Sequence, residues 1–134
     1  MNLPQTATDN VTEVLLKIIE FTRQRQRLLY ENISNAGSED FVPQDFPVDE
    51  FSRLLNEAVD EHVRSQRLVL KDTLNVKFGI NGSFELKAIP DTHAGELYKA
   101  SRDEYLNLQI NKLMENSLNL KVAAQLLGYW HQYL

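Results

Sequence analysis

The last 29 residues of the chain carry leucine at every seventh position. This repeat places the leucines along one seam of a helix, and it indicates a helix that packs lengthwise against a partner helix. The residue four positions after each leucine becomes less apolar along the helix, from isoleucine to serine, alanine and histidine, so the repeat is not an optimised leucine zipper. The leucines are Leu106, Leu113, Leu120, Leu127 and Leu134, and the companion residues are Ile110, Ser117, Ala124 and His131.

A second apolar stripe crosses the same helix and consists of Leu118, Val122, Leu126, Tyr129 and Tyr133. A helix that is apolar on two opposed faces must be covered on both. In a chain of 134 residues the N-terminal helix can cover one face, and little is left to cover the other. We therefore interpret this helix as an assembly element, with the central helix of a compact monomeric bundle as the alternative. The expected interface comprises Leu106, Ile110, Leu113, Leu118, Leu120, Val122, Leu126, Leu127 and Tyr129.

The N-terminal part of the chain predicts a second long helix. Asn10 and Glu13 stand in the relation of a capping box, and the apolar stripe stops at Gly37, where glycine can take the left-handed conformation that ends helices. A second capping pair, Ser101 and Glu104, opens the C-terminal helix. Because the two terminal helices have similar lengths, we predict that they pair in antiparallel as a coiled-coil-like bundle. The predicted terminal helices cover about residues 10–36 and 101–134.

The central region, about residues 47–90, predicts a short helix followed by a β-hairpin. Proline suits the first position of a helix, so the short helix is placed from about Pro47 onward. Apolar and polar residues alternate over 74–90 around Asn81-Gly82, and Asn-Gly between two alternating runs is a strong hairpin signal. Residues 90–100 are interpreted as a loop. The predicted fold class is therefore mainly α with a small β part, in a single domain.

Composition argues against several classes of function. The net charge of −5, with no basic face to reverse it, argues against a nucleic-acid partner. The chain has no cysteine, no run of 18 apolar residues and no signal-peptide pattern, so we expect no thiolate metal site and no direct insertion into a membrane. His62, His93 and His131 are dispersed and form no metal-binding pattern. We expect a protein that is not an enzyme and has no catalytic residues, no metal and no cofactor.

Two segments of the chain carry a resemblance. The first contains Asn-Ile-Ser-Asn-Ala followed by Asp-Phe, and the second contains Glu-Asn-Ser-Leu followed by Gln-Leu-Leu. They resemble the flagellar basal-body rod proteins of the short, proximal-rod type, whose motifs are Asn-Ile-Ala-Asn-Ala, Arg-Asp-Phe, Glu-Asn-Gln-Leu and Gln-Leu-Leu. The matching residues are Asn32, Ile33, Asn35, Ala36, Asp45, Phe46, Glu115, Asn116, Leu118, Gln125, Leu126 and Leu127.

The chain departs from this family at three places, as a divergent member would. Residues 38–41 (Ser-Glu-Asp-Phe) replace the family's Thr-Pro-Gly-Tyr turn and keep only its aromatic residue. Gln44 stands at the family's arginine, and Tyr105, Asn107 and Gln109 replace acidic residues that precede the family's last helix.

The resemblance implies a structural subunit of the bacterial flagellum that serves motility and carries out no chemistry. Family members assemble through their terminal helices with copies of themselves and with other rod and basal-body proteins into a helical tube. They are exported through the flagellar type III channel without a cleaved signal, which implies a location in the periplasmic rod. The alternative, from a different class, is a soluble helical adaptor or export chaperone that binds a partner helix along one groove.

Overall fold

The computed structural model describes residues 5–79 and 83–131. Within these ranges the chain forms four α-helices and two antiparallel sheets of two strands each, so the expected fold class, mainly α with a small β part, is confirmed. No helix in the same ranges is long and apolar enough to cross a membrane. The elements are α1 (Gln5–Ser34), β1 (Gln44–Asp45), α2 (Val48–Ser65), β2 (Val76–Lys77), β3 (Glu85–Leu86), β4 (Ile89–Pro90), α3 (Thr92–Ala100) and α4 (Arg102–His131).

The two long helices, α1 and α4, are 30 residues each and pack against each other. Near the end of α1, Asn32 contacts Gln109 early in α4. Ten residues earlier in α1, Thr22 contacts Asn116, which lies later in α4. Residue numbers that fall along one helix as they rise along the other define an antiparallel pair, as the sequence predicts.

The start of α1 differs from the prediction, whereas the start of α4 agrees with it. Helix α1 begins at Gln5, so Asn10 and Glu13 lie inside the helix and form no capping box. No glycine or proline separates Gln5 from Asn10 to end the helix earlier. At α4 the hydroxyl of Ser101 accepts a hydrogen bond from the backbone N–H of Glu104 at 3.3 Å, which is one half of the predicted capping box. The backbone N–H of Ser101 bonds to the carbonyl oxygen of Leu97 at 2.7 Å. Residues 132–134 of the predicted helix, including Tyr133 and Leu134, lie outside the described residues.

The short helix and the hairpin of the central region are both present. Helix α2 starts directly after Pro47, close to the predicted position. Strands β2 and β3 pair in antiparallel, and Gly79 beside them has a φ of 65°, a left-handed conformation that favours glycine. The predicted Asn81-Gly82 turn lies outside the described residues. The register pairs Val76 with Leu86 and Lys77 with Glu85.

Residues 90–100 are helical for most of their length, so the predicted loop is wrong. The carboxylate of Asp91 caps α3 by accepting a hydrogen bond from the backbone N–H of Ala94 at 3.1 Å. Ala94 and Tyr98, four residues apart on one face of α3, are both buried. The short β1–β4 sheet, which pairs Asp45 with Ile89, was also not predicted, because two-residue strands leave no alternating pattern.

Buried apolar side chains form two clusters. The larger one is aromatic and joins α1 and α2 to the hairpin, with the rings of Phe21 and Phe51 stacked at 4.1 Å between centroids. The smaller one joins α3 to α4, with Tyr98 and Tyr105 in edge-to-face contact at 4.8 Å. Phe41, the aromatic residue kept in the rebuilt turn, packs on Tyr98. The buried members of the larger cluster are Phe21, Phe51, Leu54, Leu55, Val76, Phe78 and Phe84.

Candidate assembly interface

The face of α4 that meets α1 is largely polar at its centre. Its buried side chains are those of Tyr105, Gln109, Asn116 and Ala123. The seam leucines lie half-buried beside this row, so the expectation that they form the centre of the contact is wrong. The half-buried leucines are Leu106, Leu113, Leu120 and Leu127.

The correction has a simple geometric reason. In a heptad the second seam position falls three or four residues after the first, and both choices place it near the same face. The structure uses the row three residues after each leucine, which holds Gln109, Asn116 and Ala123, and leaves Ile110 in the other row exposed. Apolar pattern alone points to the row with Ile110. A repeated Gln and Asn at heptad spacing was the available signal for a polar seam.

Asn116 is a central contact of this polar seam. Its side chain is 1% exposed and donates from Nδ2 to the carbonyl oxygen of Thr22 at 2.8 Å and to Oε1 of Gln26 at 3.0 Å. Gln26 in turn donates from Nε2 to the hydroxyl of Ser117 at 2.9 Å. These bonds satisfy the buried amides and hold α1 and α4 in one register.

Asn32 makes a second polar contact at the other end of the seam. From Nδ2 it donates to the carbonyl oxygen of Gln44 at 2.8 Å and to Oε1 of Gln109 at 3.0 Å. The hydroxyl of Tyr105 donates to the backbone oxygen of Asn32 at 2.8 Å. Asn32 therefore links α1 to β1 and α4, and Gln109 and Tyr105, which replace family acids, supply its partners on α4. Nε2 of Gln109 has no hydrogen-bond partner among the described residues.

A group of four charged side chains lies beside the seam. Arg25 in α1 binds the carboxylate of Asp45 through two hydrogen bonds of 2.9 Å each, and Lys112 in α4 binds the same carboxylate at 3.0 Å. Lys112 also binds Asp91, the cap of α3. The network therefore joins α1, β1, α3 and α4. Asp45 matches a family motif, but its partners cannot be identified from the local sequence, because they are 20 and 67 residues away in the chain.

The network shifts the pKa of its two central members. Burial alone would raise the pKa of Asp45, but the hydrogen bonds and charges of Arg25 and Lys112 lower it below its ordinary value. Burial alone would lower the pKa of Lys112, and its contacts with Asp91 and Asp45 raise it instead. Both groups are therefore held in their charged forms.

The remaining motif residues lie closer to the surface. Asn35 is exposed and donates from Nδ2 to the carbonyl oxygen of Glu31 at 2.8 Å. Ile33 and Ala36 are half-buried, and the backbone oxygen of Ala36 accepts a hydrogen bond from Arg102. Glu115 is exposed beside the buried Asn116. The motif thus supplies both seam contacts and surface positions.

The opposite side of α4 presents a row of exposed apolar side chains, which we call the outer row. Leu118 is 61% exposed and lies two residues after the buried Asn116, so the two side chains point to opposite sides of the helix. Val122 and Leu126 also line a groove of about 340 Å³ between α4, α1 and α2, whose floor includes Ile18 and Phe21. An exposed apolar patch of this kind, rimmed by polar residues, is typical of an interaction surface. The outer row comprises Ile110, Met114, Leu118, Val122, Leu126 and Tyr129.

Side chains able to hold a metal are not grouped in the part of the chain that the structure describes. Residues 5–79 and 83–131 contain no cluster of three or more histidine, aspartate or glutamate side chains placed to bind a metal ion. His62 lies 2.8 Å from the amide Nδ2 of Asn10, and His93 and His131 are exposed.

Comparison with known proteins adds no relative. No protein-family model, no curated protein and no solved structure matches this chain.

Proposed function

We propose that this protein is a structural subunit of the bacterial flagellar basal-body rod, with no enzymatic activity. It assembles with copies of itself and with other rod and basal-body proteins through α1 and α4, which act as a coiled-coil-like pair. The observation that carries the proposal is the exposed outer row on α4, whose opposite face is already covered by α1. Helix α4 therefore pairs with α1 within the chain through one face and presents an apolar surface to a neighbouring subunit through the other.

The positions of the matched motif residues support the same proposal. Asn32 and Asn116 hold the two helices together, and Asp45 joins the β1 strand to both. The resemblance to rod proteins therefore coincides with residues that build the helix pair. Leu118 and Leu126, also part of the resemblance, lie in the outer row.

The proposed place of action is the periplasmic rod, reached through the flagellar type III export channel without a cleaved signal. A rod subunit contributes to motility by transmitting torque through its packing contacts. It needs broad contacts with its neighbours rather than a reactive centre, and the outer row supplies an apolar surface for such contacts.

The test is complementation of a flagellated strain of the source bacterium that lacks the gene. Wild-type protein should restore rods and swimming, whereas the double variant Leu118→Ala/Leu126→Ala should not, because it removes apolar area from the outer row. The matched control is Val63→Ala, which truncates a side chain on α2 that is 72% exposed and lies outside the row. Normal rods and normal swimming in the strain without the gene would contradict the proposal.

One observation favours a second candidate, a helical adaptor or export chaperone. The groove between α4, α1 and α2 has an apolar floor and an open side, which is the arrangement that receives an amphipathic partner helix. An adaptor would bind one partner in a defined stoichiometry and would be absent from purified rods. Mass spectrometry of purified basal bodies separates the two candidates, because a rod subunit is retained there.

A further inference from the structure

An exposed patch on α1 has the features needed to bind the outer side of α4 in a neighbouring copy. We call it the α1 patch, and it comprises Leu16, Arg23, Arg27 and Tyr30. Residues seven and eleven apart lie on the same face of a helix, so Leu16, Arg23 and Arg27 share one face. Neither arginine makes an ion pair with another described residue, in a chain whose net charge is −5.

The outer side of α4 carries a complementary set at the same spacings. Glu115, Asn119 and Leu126 are all exposed, and Glu115 makes no ion pair among the described residues. Leu126 lies seven residues from Asn119 and eleven from Glu115, as Leu16 lies seven from Arg23 and eleven from Arg27.

We propose that the α1 patch of one copy packs in antiparallel on the outer side of α4 in a second copy, with Arg27 facing Glu115 and Leu16 facing Leu126. This inference rests on the proposed function and deepens it by naming the surface of a neighbouring copy that packs on Leu126 of the outer row and on the polar residues beside it. In this register Arg23 faces Asn119, whose side-chain oxygen can accept from the guanidinium. The segments from Leu16 to Arg27 and from Glu115 to Leu126 each span about three helical turns, about 17 Å at 1.5 Å per residue, so the facing residues match in spacing as well as in chemistry.

The contact joins two different surfaces of the same chain. A copy that binds a neighbour through its α1 patch still has its α4 surface open, and the reverse holds for the neighbour. Such a heterologous contact continues from copy to copy in a head-to-tail manner and forms an open assembly when the rotation does not close into a ring.

The test is sedimentation velocity of the full chain and of charge-reversal variants over a range of protein concentration. Arg27→Glu and Glu115→Arg should each weaken self-association by about tenfold or more, because each places like charges at the contact. An equimolar mixture of R27E and E115R, and the double variant R27E/E115R, should both recover association to within about threefold of wild type, because opposite charges again face each other at every contact. Wild-type association should also weaken as salt is raised from about 0.05 to 0.5 M, since the charge pair is exposed.

The matched controls are Arg67→Glu and Glu96→Arg, which reverse exposed charges outside both patches and should leave association unchanged. Circular dichroism of every variant checks that the helices are retained. The inference is overturned if either single reversal associates like wild type, if the mixture fails to recover, or if wild type stays monomeric at all concentrations. If the inference is overturned but complementation still depends on the outer row, the proposed function stands. If the strain that lacks the gene swims normally, the proposed function itself is wrong.

Discussion

The two faces of α4 have the reverse of the usual arrangement for a surface helix. The inner face, against α1, buries Gln109 and Asn116, which are 0% and 1% exposed, while the outer face exposes Leu118 to 61%. A surface helix ordinarily buries its apolar residues and exposes its amides. The chain therefore joins its internal helix pair partly through buried hydrogen bonds and leaves large apolar side chains exposed on the outer face of α4.

The two faces also differ in what they specify. A buried amide is stable only when its partners are in place, so Asn116 and Asn32 favour one register of α1 against α4. The outer row makes no such demand, because apolar burial has no preferred direction. The inner face therefore determines the register of α1 against α4, and the outer row provides exposed apolar surface area.

The largest expected effect concerns the charged network beside the inner face. Asp45→Ala removes the carboxylate that binds both Arg25 and Lys112. The buried Arg25 is then left without its partner, and the half-buried Lys112 keeps only Asp91. Breaking a buried pair in this way costs about 3–5 kcal/mol. Urea denaturation followed by circular dichroism measures the loss. A change below about 1 kcal/mol would show that the network does not hold the elements together.

The same network predicts a loss of stability in acid. The pKa of Asp45 is lower in the folded chain than its ordinary value, so its stabilising contribution is present above about pH 4 and is lost as the pH falls through the folded value. The pKa of Lys112 is raised, so its contribution is lost only at strongly alkaline pH. Asp45→Asn should flatten the acid limb of a plot of unfolding free energy against pH. An acid limb of the same slope in this variant would assign the effect to other carboxylates.

Mutation of a seam leucine to alanine should lower the free energy of unfolding by less than its position in the repeat indicates. Full burial of Leu120 would give a loss of about 2–5 kcal/mol on mutation to alanine. Because Leu120 is half-buried, Leu120→Ala should cost only about 1–2 kcal/mol. Denaturation of this variant decides between a leucine-centred seam and the polar one, since a loss near the upper value would favour the leucines.

How far the sequence predicts this structure depends on the range of the interactions involved. The two long helices, α2 and the hairpin follow from periodicity and Asn-Gly, which are local signals. Helix α3 does not stand out in the sequence, because it has only nine residues and is stabilised by burial of Tyr98 against other elements, although its Asp91 cap is a local signal. The partners of Asp45 are likewise invisible in the local sequence, since they come from α1 and α4.

The candidate interface shows the same division. Exposure of the outer row at Leu118, Val122 and Leu126 agrees with the predicted second apolar face. The predicted row that meets α1 is wrong. The apolar pattern favours the row four residues after each leucine, whereas the structure buries the row three residues after each leucine, which contains Gln109 and Asn116. Hydrogen-bond partners such as Thr22 and Gln26 are 94 and 90 residues from Asn116, and no local pattern connects them.

The smallest expected effect is at Asn35. Its side chain is exposed and donates a hydrogen bond to the carbonyl oxygen of Glu31. We expect Asn35→Ala to cost about 0.5 kcal/mol or less, because water can replace the lost bond. Thermal unfolding of Asn35→Ala should be compared with that of Asn32→Ala. Because Asn32 is buried, its mutation to alanine should lower the free energy of unfolding by about 1–3 kcal/mol.

The most direct test of the contrast between the two faces of α4 compares Asn116→Ala with Leu118→Ala, each followed by denaturation and by sedimentation. Asn116→Ala should lower the free energy of unfolding by about 1–3 kcal/mol, because it removes the buried hydrogen bonds that Asn116 donates to the carbonyl oxygen of Thr22 and to Oε1 of Gln26. Leu118→Ala should change the unfolding free energy of the monomer by less than about 0.5 kcal/mol and should weaken self-association or binding to a rod partner. A large loss of monomer stability in Leu118→Ala, with association unchanged, would contradict the account.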